Sequence, residues 1–195
     1  MNRNHIIAIF FILLMISGIV YYEKTRDVYR ADKLHWQAVM KDISSNETKA
    51  KLLSHFNDTE IKYYRGDFIS LLIYLRQHVL YTRDDFPRSE DPEWIIWSLH
   101  LGRCGEFSIA YTALLLAFDI PARLIVHFGQ DHMWTEVYGI IDWIHVDPTE
   151  GKINIPLLYN TPRPSGWGKP VNSDFPVYAF ESDGSWIDVT SRYQV

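Results

Sequence analysis

The chain has 195 residues, enough for one domain with a short appendage. Hydrophobic residues make up 47% and aromatic residues 15%, which supports a packed core and argues against general disorder. The net charge of −5, with no basic patch, argues against nucleic acid as a partner, and a single cysteine excludes an internal disulfide and a cysteine-based zinc cluster.

The uncharged run Ile6–Tyr22 is rich in Ile, Phe, Leu, Met and Val. It reaches the lower end of a bilayer-spanning helix, roughly 17–25 residues, and exceeds the apolar core of a signal peptide, about 7–15 residues. Ser17-Gly18-Ile19 is a poor cleavage site, so a retained single-pass anchor is favoured over a cleaved signal, with a buried core helix as a third reading. Arg3 precedes the run, and Lys24, Arg26, Arg30 and Lys33 follow it. The positive-inside rule leans toward a cytoplasmic body, whereas a short N-terminal span acting as an export signal puts the body outside. The second orientation is slightly preferred. The sequons Asn46-Glu47-Thr48 and Asn57-Asp58-Thr59 do not decide it.

Residues 1–24 are therefore set apart as anchor or signal, and residues 25–195 as one domain. Val28, Ala31, His35, Val39 and Ile43 fall three or four apart, predicting a helix that continues from the apolar run through Asp42. Ser44-Ser45-Asn46-Glu47 predicts a capping box for a second helix through Leu52, Leu53 and Phe56. Asp67 opens a third over Phe68–Leu80, and Thr82 to Asp91 reads as a loop. Asp91-Pro92 is a cap followed by Pro at the first helical position, starting a short helix to Leu99. After the break at Gly102–Gly105, a helix runs from Cys104 or Gly105 to Phe118, and Pro121 stops its continuation. Strands are predicted at Leu124–Phe128, Met133–Tyr138, Trp143–Val146, Val177–Phe180 and Trp186–Val189, with a Pro- and Gly-rich loop at Asn160–Asp174. Helices (25–120) followed by strands (121–195) give an α+β class, with the cysteine helix packed on an antiparallel sheet.

The only cysteine lies in Gly102-Arg103-Cys104-Gly105-Glu106. Asp131-His132-Met133-Trp134-Thr135-Glu136 and then His145-Val146-Asp147-Pro148 follow it. Cys104, His132 and Asp147 supply, in order, a thiol nucleophile, its base and the base's orienter. Cys104 at a helix start meets unpaired backbone N–H groups that favour negative sulfur and offer an oxyanion hole. Arg103 adds positive charge, and Gly102 and Gly105 leave room for a substrate carbonyl. Against this stands the ordinary fate of a lone cysteine, a small buried hydrophobe. On the following strand His132, Trp134, Glu136 and Tyr138 share one face, a polar and aromatic wall, while Met133, Thr135 and Val137 face the core. His127 and His145 are read as structural. A metal centre drawn from these histidines with Asp131, Glu136 and Asp147 lacks an HExxH or HxH pattern, so neither metal nor cofactor is expected.

These segments resemble the core of the peptide:N-glycanases, within the transglutaminase-like superfamily. The resemblance continues through Pro156-Leu157-Leu158-Tyr159, Gly166-Trp167-Gly168-Lys169 and Asp188-Val189-Thr190-Ser191-Arg192-Tyr193, and so covers Phe86 to Tyr193. It implies a papain-like core in which Cys104 attacks the amide carbon of a glycosylated asparagine, His132 moves the proton and Asp147 orients it. It further implies that Arg123, Glu136, Glu150 and Trp167 contact the sugar of a glycoprotein or glycopeptide. The family's usual CxxC zinc pairs have no counterpart here. A cysteine peptidase or a protein-crosslinking transglutaminase passes through the same acyl-enzyme and stays open as an alternative. An inactive binding module that kept the cleft is the reading from another class, and the intact Cys and His argue against it.

Overall fold

The computed structural model describes residues 3–128, 132–154 and 175–193. The chain falls into two units, Met1–Trp36 and Gln37–Val195. The first is helical from Arg3, and helix α1 (Arg3–Ile43) ends one residue beyond the Asp42 expected from the apolar stripe. Among the described residues, no helix is long and apolar enough to cross a membrane. Attachment through residues 6–22 therefore rests on the sequence alone.

In the second unit the last turn of α1 buries Val39, Met40 and Ile43. α2 (Asn46–Leu53) starts where expected, with Ser45 Oγ accepting the Thr48 N–H at 3.1 Å. It does not reach Phe56. A separate helix α3 (Asp58–Tyr64) begins behind the true capping box of this region. There Asn57 Oδ1 accepts from the Thr59 and Glu60 N–H groups, and Glu60 Oε2 accepts the Asn57 N–H at 2.8 Å. α4 (Phe68–His78) is capped by Asp67 and buries Leu71, Leu72 and Leu75. Asp91 caps α5 (Pro92–Trp94), which widens into a π-helical turn, Ile95–Leu99, and ends at His100 with φ 56°. Two short strands that the sequence did not predict, β1 (Leu80–Tyr81) and β2 (Leu101–Gly102), pair in parallel and tie the end of α4 to the entry of the next helix.

That helix, α6 (Cys104–Ala117), is the centre of the fold. Every residue from Gly105 to Ala117 is buried, because α2 and α4 cover one side and the sheet covers the other. Helices that are apolar all round occupy such positions. Of its polar side chains, Thr112 meets the Thr135 hydroxyl at 2.9 Å, whereas the buried Ser108 hydroxyl finds no hydrogen-bond partner among the described residues.

The sheet has the order β6-β5-β4-β3-β7-β8, antiparallel throughout. Its strands are β3 (Ala122–His127), β4 (His132–Tyr138), β5 (Trp143–Asp147), β6 (Lys152–Asn154), β7 (Val177–Phe180) and β8 (Trp186–Asp188). β6 was not predicted, since three residues with one apolar side chain carry no alternation to read. The loop expected at Asn160–Asp174 lies outside the described residues.

Alternation along β4 holds, but its consequence differs from the expectation. Met133 and Thr135 lie against α6, as predicted. The opposite face, expected to be an open wall, is a second core layer. Trp134 is fully buried there with Ile125, Val177, Ala179, Val189 and Tyr193. The chain's return through β7, β8 and the 3-10 turn Thr190–Arg192 brings that cover, so the sheet is buried on both faces at its middle.

Candidate active site

Cys104 is the first residue of α6, half-buried and reduced. The helix start is held by Glu106, whose Oε2 accepts the Arg103 N–H at 3.0 Å and whose Oε1 accepts from Arg88 Nε. Glu106 is 2% exposed, so this carboxylate is held in place within the first turn of α6. The Arg103 guanidinium does not serve the sulfur as expected. It donates to the carbonyls of Arg83 and Asp84, at 3.0 and 3.2 Å, and so anchors the loop after β1. Gly102 does not leave space for a substrate either. A Cβ there would sit 2.9 Å from Glu106 Cβ, so the missing side chain makes room for the cap itself. At Gly105 a Cβ would meet Arg88 Nη2 and the Met133 sulfur at ordinary contact distances.

His132 opens β4 and Asp147 closes β5, and both are buried. The register pairs Glu136 with His145 and Thr135 with Val146, which carries Asp147 to the end of the hairpin where His132 lies. His132 Nε2 is 2.9 Å from Asp147 Oδ2. Asp147 Oδ1 accepts the N–H groups of Thr149 and Glu150, at 2.9 and 3.2 Å. Cys104 is a second hydrogen-bond partner of the His132 ring. With Nε2 engaged by Asp147, Nδ1 is the nitrogen left for the sulfur.

Burial pulls the His132 imidazole toward its neutral form, but the hydrogen bonds and charges of Asp147 and Cys104 outweigh it and lift the pKa to about 9. Burial pushes Asp147 up, and the hydrogen bond and charge of His132, with the Glu150 N–H, hold it below the usual carboxylate range. An imidazolium bonded to a carboxylate is the resulting charge state near neutral pH. His127 lies opposite His132 in β3, and His145 lies opposite Glu136 with its ring 5.4 Å from that of Trp134. Both are buried. Among the described residues, no group of three His, Cys, Asp or Glu side chains is arranged to hold a metal ion.

The four residues that the resemblance assigned to sugar are placed differently from one another. Arg123 and Glu136 face each other across β3 and β4, buried, with Nη2 to Oε2 at 2.6 Å. Arg123 Nη1 reaches Glu181 at 2.7 Å, and its guanidinium lies 4.0 Å from the centroid of the Trp143 ring. The Tyr193 hydroxyl donates to Glu136 Oε1 at 2.5 Å and accepts from Trp134 Nε1 at 3.0 Å. These two side chains therefore form an internal charge network instead of an open cleft wall. Glu150 is half-buried in the turn after Asp147 and pairs with Lys152. Trp167 lies outside the described residues. Sequence reasoning missed Arg88, Glu181 and the capping role of Glu106. Only Glu106 had a readable signal, its place two residues after the cysteine at a helix start.

Residues 58–148 match the model of the transglutaminase-like superfamily core. Curated proteins similar over this region include several peptide-N(4)-(N-acetyl-beta-glucosaminyl)asparagine amidases. The peptide-N(4)-(N-acetyl-beta-glucosaminyl)asparagine amidase of Arabidopsis thaliana is 40% identical over 114 residues, covering 57% of this chain and 14% of that protein. The enzyme of the same name from Gallus gallus is 39% identical over 110 residues, 55% of this chain and 15% of the relative. The one from Drosophila melanogaster is 43% identical over 94 residues, 47% of this chain and 14% of the relative. The chain thus matches only a small part of each relative's length. Among solved structures, Rad4–Rad23 crosslinked to undamaged DNA aligns with a TM-score of 0.58 at 16% identity, covering 89% of this chain and 49% of that one. At that identity the likeness concerns the fold alone.

Proposed function

We propose that this chain is a thiol amidohydrolase that cleaves the amide between a glycan and an asparagine side chain, with Cys104 as nucleophile, His132 as proton carrier and Asp147 as orienter. The observation that carries this reading is the hydrogen bond from His132 Nε2 to Asp147 Oδ2 at 2.9 Å, with Cys104 bonded to the same ring at the start of a buried helix. The substrate class rests on the relatives, which are named for this amidase activity.

The chemistry follows from the charges. The Cys104 sulfur adds to the side-chain amide carbon, and the oxyanion faces backbone N–H groups at the start of α6. His132, held as imidazolium, gives its proton to the departing glycosylamine as the C–N bond breaks, which leaves a thioester on Cys104. The now neutral imidazole takes a proton from water, the hydroxide adds to the thioester, and the sulfur leaves as thiolate. The asparagine becomes aspartate, whose acid proton passes to solvent, and His132 keeps the water-derived proton, which restores the resting imidazolium. Asp147 stays ionised throughout and keeps Nε2 turned toward itself.

We further infer from the uncharged run Ile6–Tyr22 that the protein is held at a membrane by its N-terminus. Mass spectrometry of an N-glycopeptide incubated with the full chain tests the activity. Loss of the intact glycan with conversion of asparagine to aspartate is the expected result. Peptide-bond cleavage, or transfer to an added amine, would reassign the same acyl-enzyme to a peptidase or a transglutaminase.

A further inference from the structure

Arg76 lies on α4, far in sequence from β5, yet it reaches the turn that follows Asp147. Its Nη1 donates to the carbonyl oxygen of Pro148 at 2.9 Å and to that of Thr149. The turn is closed by the Gly151 N–H, which donates to the Asp147 carbonyl at 2.8 Å. Within it the N–H groups of Thr149 and Glu150 point at Asp147 Oδ1. That leaves Oδ2 for His132 Nε2. Five groups from α4, the turn, β5, β4 and α6 are thus linked in series: Arg76, the 148–149 carbonyls, Asp147, His132 and Cys104.

Gly151 carries a second, independent sign of the same arrangement. Its φ of +70° is one that side-chain-bearing residues rarely adopt, and a Cβ there would lie 3.2 Å from Arg76 Cζ and Nε. A side chain at 151 would strain the turn and press the guanidinium away from the carbonyls.

We propose that Arg76 is a positioning residue for the reaction, fixing from the helical half of the domain the turn that aims the Asp147 carboxylate at His132. The proposal rests on the thiol reading above. Two adjacent carbonyl dipoles converge on one guanidinium nitrogen, so the positive charge and not the planar fork is the main requirement. A lysine therefore keeps part of the effect, and an alanine none. Removing the clamp frees the turn to relax, and the two N–H groups no longer hold Oδ1. The carboxylate then loses its fixed aim, and His132 loses part of what keeps it protonated.

His132 itself is the probe. The titratable groups around it are Cys104 from α6, His127 opposite it in β3 and Asp147 from β5; His145 acts on Asp147, and Arg76 reaches the turn after Asp147 from α4. The full chain in detergent, labelled with 13C-histidine, gives the His132 ring resonance as a function of pH, assigned by its absence in His132→Gln. Arg76→Ala and Gly151→Ala should each lower the His132 midpoint by about one pH unit or more, and Arg76→Lys by clearly less. The pH profile of Cys104 alkylation by iodoacetamide should move with them. Circular dichroism reports folding, and if Arg76→Ala does not fold, Gly151→Ala and Arg76→Lys carry the comparison. A midpoint unmoved in the folded variants overturns the proposal. Neither readout needs turnover. An inactive chain with a displaced midpoint supports the role of Arg76 and removes the enzyme reading, whereas an active chain with an unmoved midpoint removes Arg76 alone.

Discussion

His132 Nε2 and Asp147 Oδ2 lie 2.9 Å apart with both side chains buried, and Asp147 keeps its other oxygen for two backbone N–H groups. This contact, together with that of Cys104, sets the charge state of the His132 ring. It holds a positive ring next to the sulfur in a place where burial alone would make the ring neutral.

Stability should therefore depend on pH at both ends of this pair. The folded-state pKa of His132 is raised from 6.5 to about 9, so its contribution is complete below 6.5 and is lost as pH rises through about 9. Asp147 is lowered from 3.8, so its contribution is complete above that value and is lost as pH falls below it. Thermal melts across pH should show a plateau between these limits. In Asp147→Asn the alkaline decline should move to lower pH, and an unchanged decline would mean another group sets it.

The same substitution should cut turnover hard. Asp147→Asn should lower kcat roughly 10³–10⁴-fold, the scale seen when a triad's carboxylate is neutralised. The alkaline limb of the pH–rate profile should shift down with it. Steady-state kinetics on a glycopeptide measures both. A loss smaller than tenfold would mean that Asp147 does not orient the proton carrier.

Cys104→Ala should abolish turnover and leave stability within about 1 kcal/mol of the unaltered chain. The residue is half-buried at the edge of α6, not packed in its middle, so little contact is lost. Cys104→Ser should be nearly as inactive, since a hydroxyl is a poor nucleophile in a site built around a sulfur–imidazolium pair. Urea unfolding alongside the activity assay separates the two effects. Activity retained in Cys104→Ala would remove the thiol mechanism.

Arg123 and Glu136 provide a different test. Each is buried and paired, with Glu181 and Tyr193 completing the set. Glu136→Gln should leave the buried Arg123 guanidinium with Glu181 as its remaining carboxylate partner and cost up to about 3–5 kcal/mol of stability, while the double change Arg123→Met with Glu136→Leu should cost much less. Denaturant midpoints decide this. If Glu136→Gln is fully stable yet binds glycan weakly, the residue faces sugar after all.

The final prediction concerns the chain's start. A protein beginning at Thr25 should be free of membranes and active, because the uncharged run ends at Tyr22. One beginning at Asp85 should aggregate, because it lacks α2 and α4, which cover the apolar side of α6. Gel filtration and membrane fractionation measure the outcome. A well-behaved Asp85 form would show that the N-terminal helices are not part of the folded core.

The elements legible in the sequence were those set by near neighbours. Asp67 and Asp91 cap their helices because a side chain reaches a backbone N–H two or three residues on. The cysteine helix, the β4–β5 hairpin and the meeting of its two polar ends follow from periodicity and a short connection. Hence the meeting of His132 and Asp147 could be read from the sequence alone. The face of β4 that bears Trp134 could not be judged that way. The residue that seals it, Tyr193, is supplied by a strand pair returning from the far end of the chain. Arg123 and Glu136 read as cleft residues until their register placed them directly opposite each other. Arg76 reaches the 148–149 carbonyls across a separation that no local pattern encodes. Caps and alternation are fixed within a few residues, whereas burial and long-range ion pairing depend on which distant segment arrives to exclude water, and only the folded chain decides that.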